Sequence, residues 1–267
     1  MKGNYQDIQR YAELDMAIAG DAEATLPYLT EAVKRELTDD RKRLCADRGK
    51  KLAAAHDLSL KQSREAATYG WDASPISTAR LCSEIWGQIK NEDWSLVSDT
   101  YPWVSRWPQR LWAFDKHYQW IGGPGGHGVG YGAPAATGAA LANKKYGRLT
   151  VNIQNDGDLM YAPGILWTAA HSRIPILHVM HNNRAYHQES MLVGDMANRH
   201  NHRQDGPMKG TTITDPNIDY AMLAKGIGMY SEGPINDPKD LGPALARAVA
   251  VVKRGEPAMV DVVTQPR

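Results

Sequence analysis

Cysteine is scarce: Cys45 and Cys82 are the only two in the chain. They offer no metal-type spacing and fit a reduced, cytoplasmic protein. Long apolar runs are missing as well. No stretch approaches the roughly eighteen apolar residues of a membrane span, so none is expected. The N-terminus, Met1-Lys2-Gly3-Asn4-Tyr5-Gln6-Asp7, lacks the apolar core of a secretory signal. Net charge is almost absent, with 31 Lys and Arg against 30 Asp and Glu, a balance of +1. That balance gives no reason to expect a nucleic-acid partner. No internal repeat is visible. What remains is an ordinary globular composition, 42% hydrophobic and 23% charged over 267 residues. It suits one large domain, or a domain with a smaller piece beside it.

The order of patterns predicts an α/β protein. Leu14 to Ala19 is a short apolar run that reads as a strand. After Gly20-Asp21, apolar residues at Ala22, Leu26, Leu29, Val33 and Leu37 keep helical spacing. One βα unit cannot bury its own apolar face, so this piece needs something to dock on. Thr38 to about Arg64 is charged on most sides and reads as a solvated linker helix. Pro75 is expected at the first position of a helix running to about Ile89. Strands are expected at Trp94–Ser98, Leu149–Ile153, Ile174–Met180, Ile227–Tyr230 and Ala258–Val263. Helices are expected at Ala133–Asn143, Pro163–His171, Asp219–Lys225 and Pro238–Lys253. Strands alternating with helices imply a doubly wound parallel sheet in three layers.

Chemistry gathers at three places. The stretch "GGPGGHGVGYG", Gly122 to Gly132, precedes the small-residue helix, and its backbone N–H groups could approach a pyrophosphate closely. "NDGDLMY", Asn155 to Tyr161, follows one predicted strand, and "HNNRAY", His181 to Tyr186, follows another. Ligands of doubly wound sheets bind beyond the carboxyl ends of the strands, where both stretches fall. If those strands are neighbours, Asp156 and Asn183 converge. A carboxylate, an amide oxygen and a nearby backbone carbonyl are hard donors that suit Mg2+ or Ca2+. Such a set leaves room for phosphate oxygens and water, which points to a metal-bridged diphosphate.

The acidic-Gly turn followed by the Asn-Asn pair resembles the signature of thiamine-diphosphate-dependent enzymes, and 27 positions separate Asp156 from Asn183. "GVGYGAPAATGAAL" and "ALARAVAVVKRGEPAMVDVVTQPR" are similar to stretches of the acetolactate synthase, benzoylformate decarboxylase and 2-hydroxyacyl-CoA lyase group. The resemblance implies that residues 74–267 are the diphosphate-binding domain, 41–73 a helical linker, and 1–40 the last βα unit of a central domain. It implies thiamine diphosphate and Mg2+ as cofactors. Asp156 and Asn183 become side-chain metal ligands, and Ala185 contributes its carbonyl. Gly128, Gly130, Gly157, Asp158 and Tyr186 line the cofactor, and Val129 props it in its bent shape. Glu189, His127 and His187 are candidates for proton transfer. Asn155 stands where the family has glycine, and Asn tolerates the left-handed angles such a turn could require. Asp158 stands where the family has a small residue, which sets a second carboxylate beside a diphosphate.

The implied activity is C–C bond cleavage or formation on 2-keto acids or 2-hydroxyacyl substrates, CoA-linked ones included, by a lyase, decarboxylase or acetolactate synthase-like transferase. The family's pyrimidine-binding domain and its glutamate have no counterpart in the sequence. Either a separate subunit is expected to supply them, in a hetero-oligomer built on dimers, or the sequence is the C-terminal fragment of a longer protein; the orphan βα unit favours a partner. A non-catalytic cofactor-binding remnant or regulatory subunit is the alternative. An NAD-dependent α/β enzyme is a further one, resting on "GGHGVG", though no acidic residue stands after a strand at the ribose-binding distance. His178 and His181 alternate across a strand and read as packing residues; His200 and His202 sit in a polar stretch. Trp103, Trp107, Trp112 and Trp120 read as packing or interface residues.

Overall fold

The computed structural model describes residues 15–97, 106–122, 128–202 and 210–265. The chain divides into two units, Met1–Leu58 and Ser59–Arg267. The division falls inside one continuous helix, between the boundaries expected at 40 and 73.

In the first unit, helix α1 (Ala22–Glu36) starts where its spacing predicts, with the Asp21 carboxylate accepting the Ala24 N–H at 2.9 Å. Lys34 and Arg35 in its last turn complement the helix dipole. Helix α2 (Asp39–Ala67) is the expected polar helix, with neighbouring pairs such as Lys42–Asp39 along its surface. The strand expected at Leu14–Ala19 does not form over its described residues, Asp15–Ala19. Met16 and Ile18 are 76% and 68% exposed, and among the described residues no neighbouring strand takes up the backbone groups of this segment. Along α1 the apolar residues Leu26, Leu29 and Val33 remain exposed.

The second unit carries the sheet. Helix α3 (Thr78–Ile89) begins three residues after Pro75, not at it. Ile76 is still extended, bridged to Thr264, and Ser77 caps the helix by accepting the Arg80 N–H at 3.2 Å. Strand β1 (Trp94–Val97), helix α4 (Trp107–Leu111) and the two-residue strand β2 (Trp120–Ile121) follow. Then come α5 (Gly132–Lys144), β3 (Leu149–Asn155), α6 (Asp156–Leu159), α7 (Gly164–His171) and β4 (Leu177–Asn182). Helices α8 (His187–Arg199) and α9 (Tyr220–Gly226), strand β5 (Tyr230–Ile235), helix α10 (Pro238–Lys253) and strand β6 (Ala258–Val263) complete the described chain.

Among the described residues six strands form one parallel sheet in the order β2-β1-β3-β4-β6-β5. Side chains alternate across it. Val151, Ile153, Leu177, Val179, Val260 and Val262 face α3 and α10, while Val97, Met180 and Met259 face α5, α7 and α9. The three-layer arrangement is the one the sequence predicts. Trp112 donates its indole N–H to the Cys82 carbonyl at 2.8 Å and stacks on Trp86, with Trp94 edge-on to both. Trp107 and Trp112 are thus packing residues, while Trp103 lies outside the described residues.

Two strands shift from their expected places. Strand β4 begins after Pro175, which has no N–H for the ladder, and runs on to Asn182. Strand β5 is not Ile227–Tyr230, because Gly228 at φ +86° and Ile227 end helix α9. It is Tyr230–Ile235, an edge strand interrupted at Gly233-Pro234, where an irregular register is tolerated. Helix α8 was not expected; it buries only Ser190, and its apolar residues Met191, Leu192, Val193 and Met196 are exposed.

His178 and His181 do face opposite sides of β4, and both are buried. His178 Nδ1 lies 3.0 Å from the Asn152 amide nitrogen. Burial pushes the His178 pKa down to about 4. An unfolded chain takes up that proton below its ordinary value of about 6.5, so the stabilising contribution is complete above that pH and is lost as pH falls towards 4. Across this interval the native protein should lose about 3 kcal/mol more stability than a His178→Gln variant. Urea unfolding at pH 7.0, 5.5 and 4.5, roughly spanning the window, measures the difference; parallel profiles would show that His178 does not titrate in this way.

Candidate functional site

Strands β3 and β4 are parallel neighbours, with Asn155 paired to His181. Asp156 and Asn183 each stand one residue beyond their strand, so both lie at the same edge of the sheet. The chain leaves β1 for β2 on one side and returns to β3 on the other, which makes the β1–β3 gap a topological switch point. The glycine-rich approach to α5 and the turn after β3 flank that gap.

Asp156 opens the single turn α6 and is 1% exposed. One carboxylate oxygen accepts the Gly157 N–H at 2.8 Å, and the Arg184 and Ala185 N–H groups also face the carboxylate. Burial outweighs these bonds and pushes its pKa up to about 7. Its other oxygen, Oδ2, is buried with no partner. The Asn183 amide oxygen accepts the Ala185 N–H at 3.1 Å, drawing 183–185 into a tight turn through Arg184 at φ 59°. That turn is fastened from behind: Tyr186 N–H donates to the Thr211 carbonyl and Ile213 N–H to the Arg184 carbonyl, both at 2.7 Å. In this antiparallel bridge Ala185 is opposite Thr212, so its own N–H and C=O face away from Thr212. The Asp156 carboxylate therefore faces the backbone of the Asn183–Ala185 turn. Among the described residues no three His, Cys, Asp or Glu side chains cluster for a metal. An orphaned carboxylate oxygen, an amide oxygen and a backbone carbonyl are the kinds of donor that hard cations take.

Asn155 is extended, at φ −71° and ψ 143°, so no left-handed residue is required there. Gly157 is required instead by packing, because a Cβ would stand 2.6 Å from Tyr186 Cδ1. Tyr186 lies over it, edge-on to Tyr161 at 6.3 Å between ring centroids. Burial raises the Tyr186 pKa, and the charges of Asp156, Glu189 and Asp158 raise it further, which brings those carboxylates into the same neighbourhood.

The glycine-rich segment also departs from expectation. The Gly130 N–H, expected to be open to a pyrophosphate, donates to Asp158 Oδ1 at 2.5 Å, and the Gly132 N–H donates to Oδ2 at 3.2 Å. Asp158 thus turns towards the segment before α5 and is 8% exposed. Gly128 and Val129 are exposed, Val129 at 48%. Glu189 is exposed in the first turn of α8, and His187 begins that helix half-buried. His127 lies outside the described residues.

Several participants had no sequence signal. Gln154 on β3 donates to Asp158 Oδ2 at 2.6 Å. Thr211 reaches the site from far along the chain. Tyr220, 1% exposed, feels the charge of Asp156 and has a hydroxyl without a partner. Only the period-two polar residues Thr150, Asn152 and Gln154 within an otherwise apolar strand could have pointed to a buried polar line.

The family model described as "Thiamine pyrophosphate enzyme, C-terminal TPP binding domain" matches residues 103–262. A benzoylformate decarboxylase of Pseudomonas aeruginosa is 30% identical over 142 residues, 53% of this chain and 24% of that protein. A chloroplastic acetolactate synthase of Brassica napus is 25% identical over 138 residues, 52% of this chain and 21% of that protein. The chain thus matches about a quarter of the length of these relatives. Among solved structures, the thiamine diphosphate-dependent 4-hydroxybenzoylformate decarboxylase of Rhodococcus jostii RHA1 superposes with a TM-score of 0.60. It does so at 24% identity, over 72% of this chain and 33% of that one, and shares the fold.

The contact between Gly157 and Tyr186 is directly testable. Gly157→Ala should destabilise the protein by about 1–3 kcal/mol through overpacking. In a Tyr186→Ala background the same change should cost less than about 0.5 kcal/mol, as a double-mutant cycle of denaturation midpoints would measure.

Proposed function

Because the chain belongs to the thiamine pyrophosphate enzyme family, carrying its C-terminal TPP binding domain, we propose that it binds the diphosphate of thiamine diphosphate through a divalent cation at the β3–β4 edge. The observation that carries this reading is the buried, unpartnered Oδ2 of Asp156, set beside the Asn183–Ala185 turn. Asp156, the Asn183 amide and the Ala185 carbonyl would hold Mg2+. Gly157 keeps the turn after β3 low enough for Tyr186 to close over it, and Val129 is placed to support the cofactor from the other flank. Once bound, thiamine diphosphate supplies a thiazolium that acts as an electron sink for cleaving or forming a C–C bond next to a carbonyl. The substrate class is a 2-keto acid or a 2-hydroxyacyl compound, handled by decarboxylation, cleavage or ligation. Glu189 and His187, at the start of α8, are the described groups positioned to move protons, with His127 a third candidate.

The domain assignment belongs to the same reading. Residues 74–267 form the cofactor-binding domain, 41–73 the linker, and 1–40 a piece of a central domain. The pyrimidine-binding domain and its glutamate come from a partner, in a hetero-oligomer. The exposed apolar residues Leu26, Leu29 and Val33 of α1 support the view that the N-terminal piece is completed by other protein.

Thermal-shift titration separates this reading from an NAD enzyme. Thiamine diphosphate with Mg2+ should raise the melting temperature of the full chain, NAD should not, and Asp156→Ala should abolish the shift. A shift with NAD alone would overturn the assignment. With a subunit supplying the pyrimidine-binding domain, Glu189→Gln should lower turnover by about 100-fold while leaving the cofactor dissociation constant within about twofold. Equal loss of both would remove Glu189 from proton transfer, and unchanged turnover in the complex would leave cofactor binding as the chain's only role.

A further inference from the structure

Asp158 ought to be a liability. It stands two residues from a proposed metal ligand and beside a proposed diphosphate, where another negative charge is unfavourable. Yet its carboxylate is surrounded by donors: Gly130 N–H at 2.5 Å, Gly132 N–H at 3.2 Å and Gln154 Nε2 at 2.6 Å. The place is built for it. A Cβ on Gly132 would stand 2.7 Å from Asp158 Oδ2 and 2.8 Å from Gln154 Oε1, so a side chain there would evict the carboxylate. Gly130, at φ +92°, adopts a conformation that favours glycine, and its Cβ would meet Tyr161 Cβ at 2.8 Å. Gln154 is itself oriented by Asn152, whose amide donates to Gln154 Oε1 at 2.9 Å and lies 3.0 Å from His178 Nδ1. A line of buried polar contacts therefore runs from the middle of the sheet to the segment ahead of α5.

We propose that Asp158 is a positioning residue, an internal anion that fastens the Gly128–Gly132 segment to the end of β3 and so fixes the position of Val129 before any cofactor enters. This rests on the reading in which Val129 supports thiamine diphosphate. A phosphate approaching the Gly130 N–H would meet the Asp158 carboxylate, so the segment presents its Val129 side chain to the ligand and not its amides. The spacing of Gly130 and Gly132 then answers to Asp158 and Tyr161, which accounts for glycines that would otherwise suggest direct phosphate contact.

Two measurements on the full chain test this. The first is hydrogen–deuterium exchange, without cofactor, on peptides covering Gly128–Thr137. Exchange at the Gly130 and Gly132 amides should accelerate at least about tenfold in Asp158→Ala and less in Asp158→Asn, which keeps one acceptor oxygen. The second is titration with thiamine diphosphate and Mg2+, followed by tryptophan fluorescence. The dissociation constant should rise about tenfold in Asp158→Ala, with Asp158→Asn between it and the native protein. Should Asp158→Ala fail to fold by circular dichroism, Asp158→Asn carries both comparisons. Unchanged exchange in the folded variant overturns the proposal. Tighter cofactor binding does so too, since the carboxylate would then compete with the ligand. If the native chain binds no thiamine diphosphate, the functional reading fails, and the exchange result still decides whether Asp158 fastens the segment.

Discussion

The parallel pairing of β3 with β4 is the constraint from which the site follows. It brings the residues after Asn155 and after Asn182 to one edge at matching height. A one-residue slip would reverse which face each side chain meets, turning Asn152, Gln154 and His178 into the layer where Val151, Ile153, Leu177 and Val179 now pack. That apolar layer against α3 and α10 consequently fixes the register, and the register fixes the distance between the Asp156 and Asn183 turns. Hydrophobic burial far from the chemistry thus sets the geometry of the polar groups.

Polar residues occupy the other face at a cost that hydrogen bonding offsets. Asn152, Gln154 and Asp158 hydrogen-bond in turn and reach the backbone before α5, though the Asn152 amide oxygen keeps no partner, while Asn182 and the Tyr220 N–H hold the buried Asp261 carboxylate at 3.0 Å and 3.2 Å. Buried groups left partly unsatisfied are expensive, so such networks persist where they specify a single arrangement. Here they tie β4, β6 and the start of α9 together directly beneath the candidate site. The Asp156 oxygen without a partner is one of several such buried groups at this end of the sheet, with both ring nitrogens of His181 and the Tyr220 hydroxyl nearby.

Much of the fold is legible in the sequence. Helix α10 and strand β6 coincide with their expected bounds, since Asp237 and Pro238 mark the start of one and an unbroken apolar run defines the other. Strands β4 and β5 were displaced because Pro175, Gly228 and Gly233 place breaks that propensity alone does not locate. That Asp156 and Asn183 follow adjacent strands rests on the β3–β4 pairing, which the sequence left conditional. The roles of Gly157 and Asp158 were not readable, because they depend on Tyr186 and Gly130, partners tens of residues away whose directions only the folded backbone determines. Helix α8 was missed for another reason: Met191, Leu192, Val193 and Met196 lie along it but stay exposed, so they mark no buried face.

Among the described residues, both margins of the sheet are poor templates for another chain. Strand β2 is two residues long, and β5 is broken by Gly233-Pro234, where proline contributes no donor and the register is irregular. An added strand would find too few consecutive backbone groups to pair with at either margin. The sheet is therefore protected against edge-to-edge aggregation, and molecules of this protein that meet at high concentration have little opportunity to zip together through their β-structure.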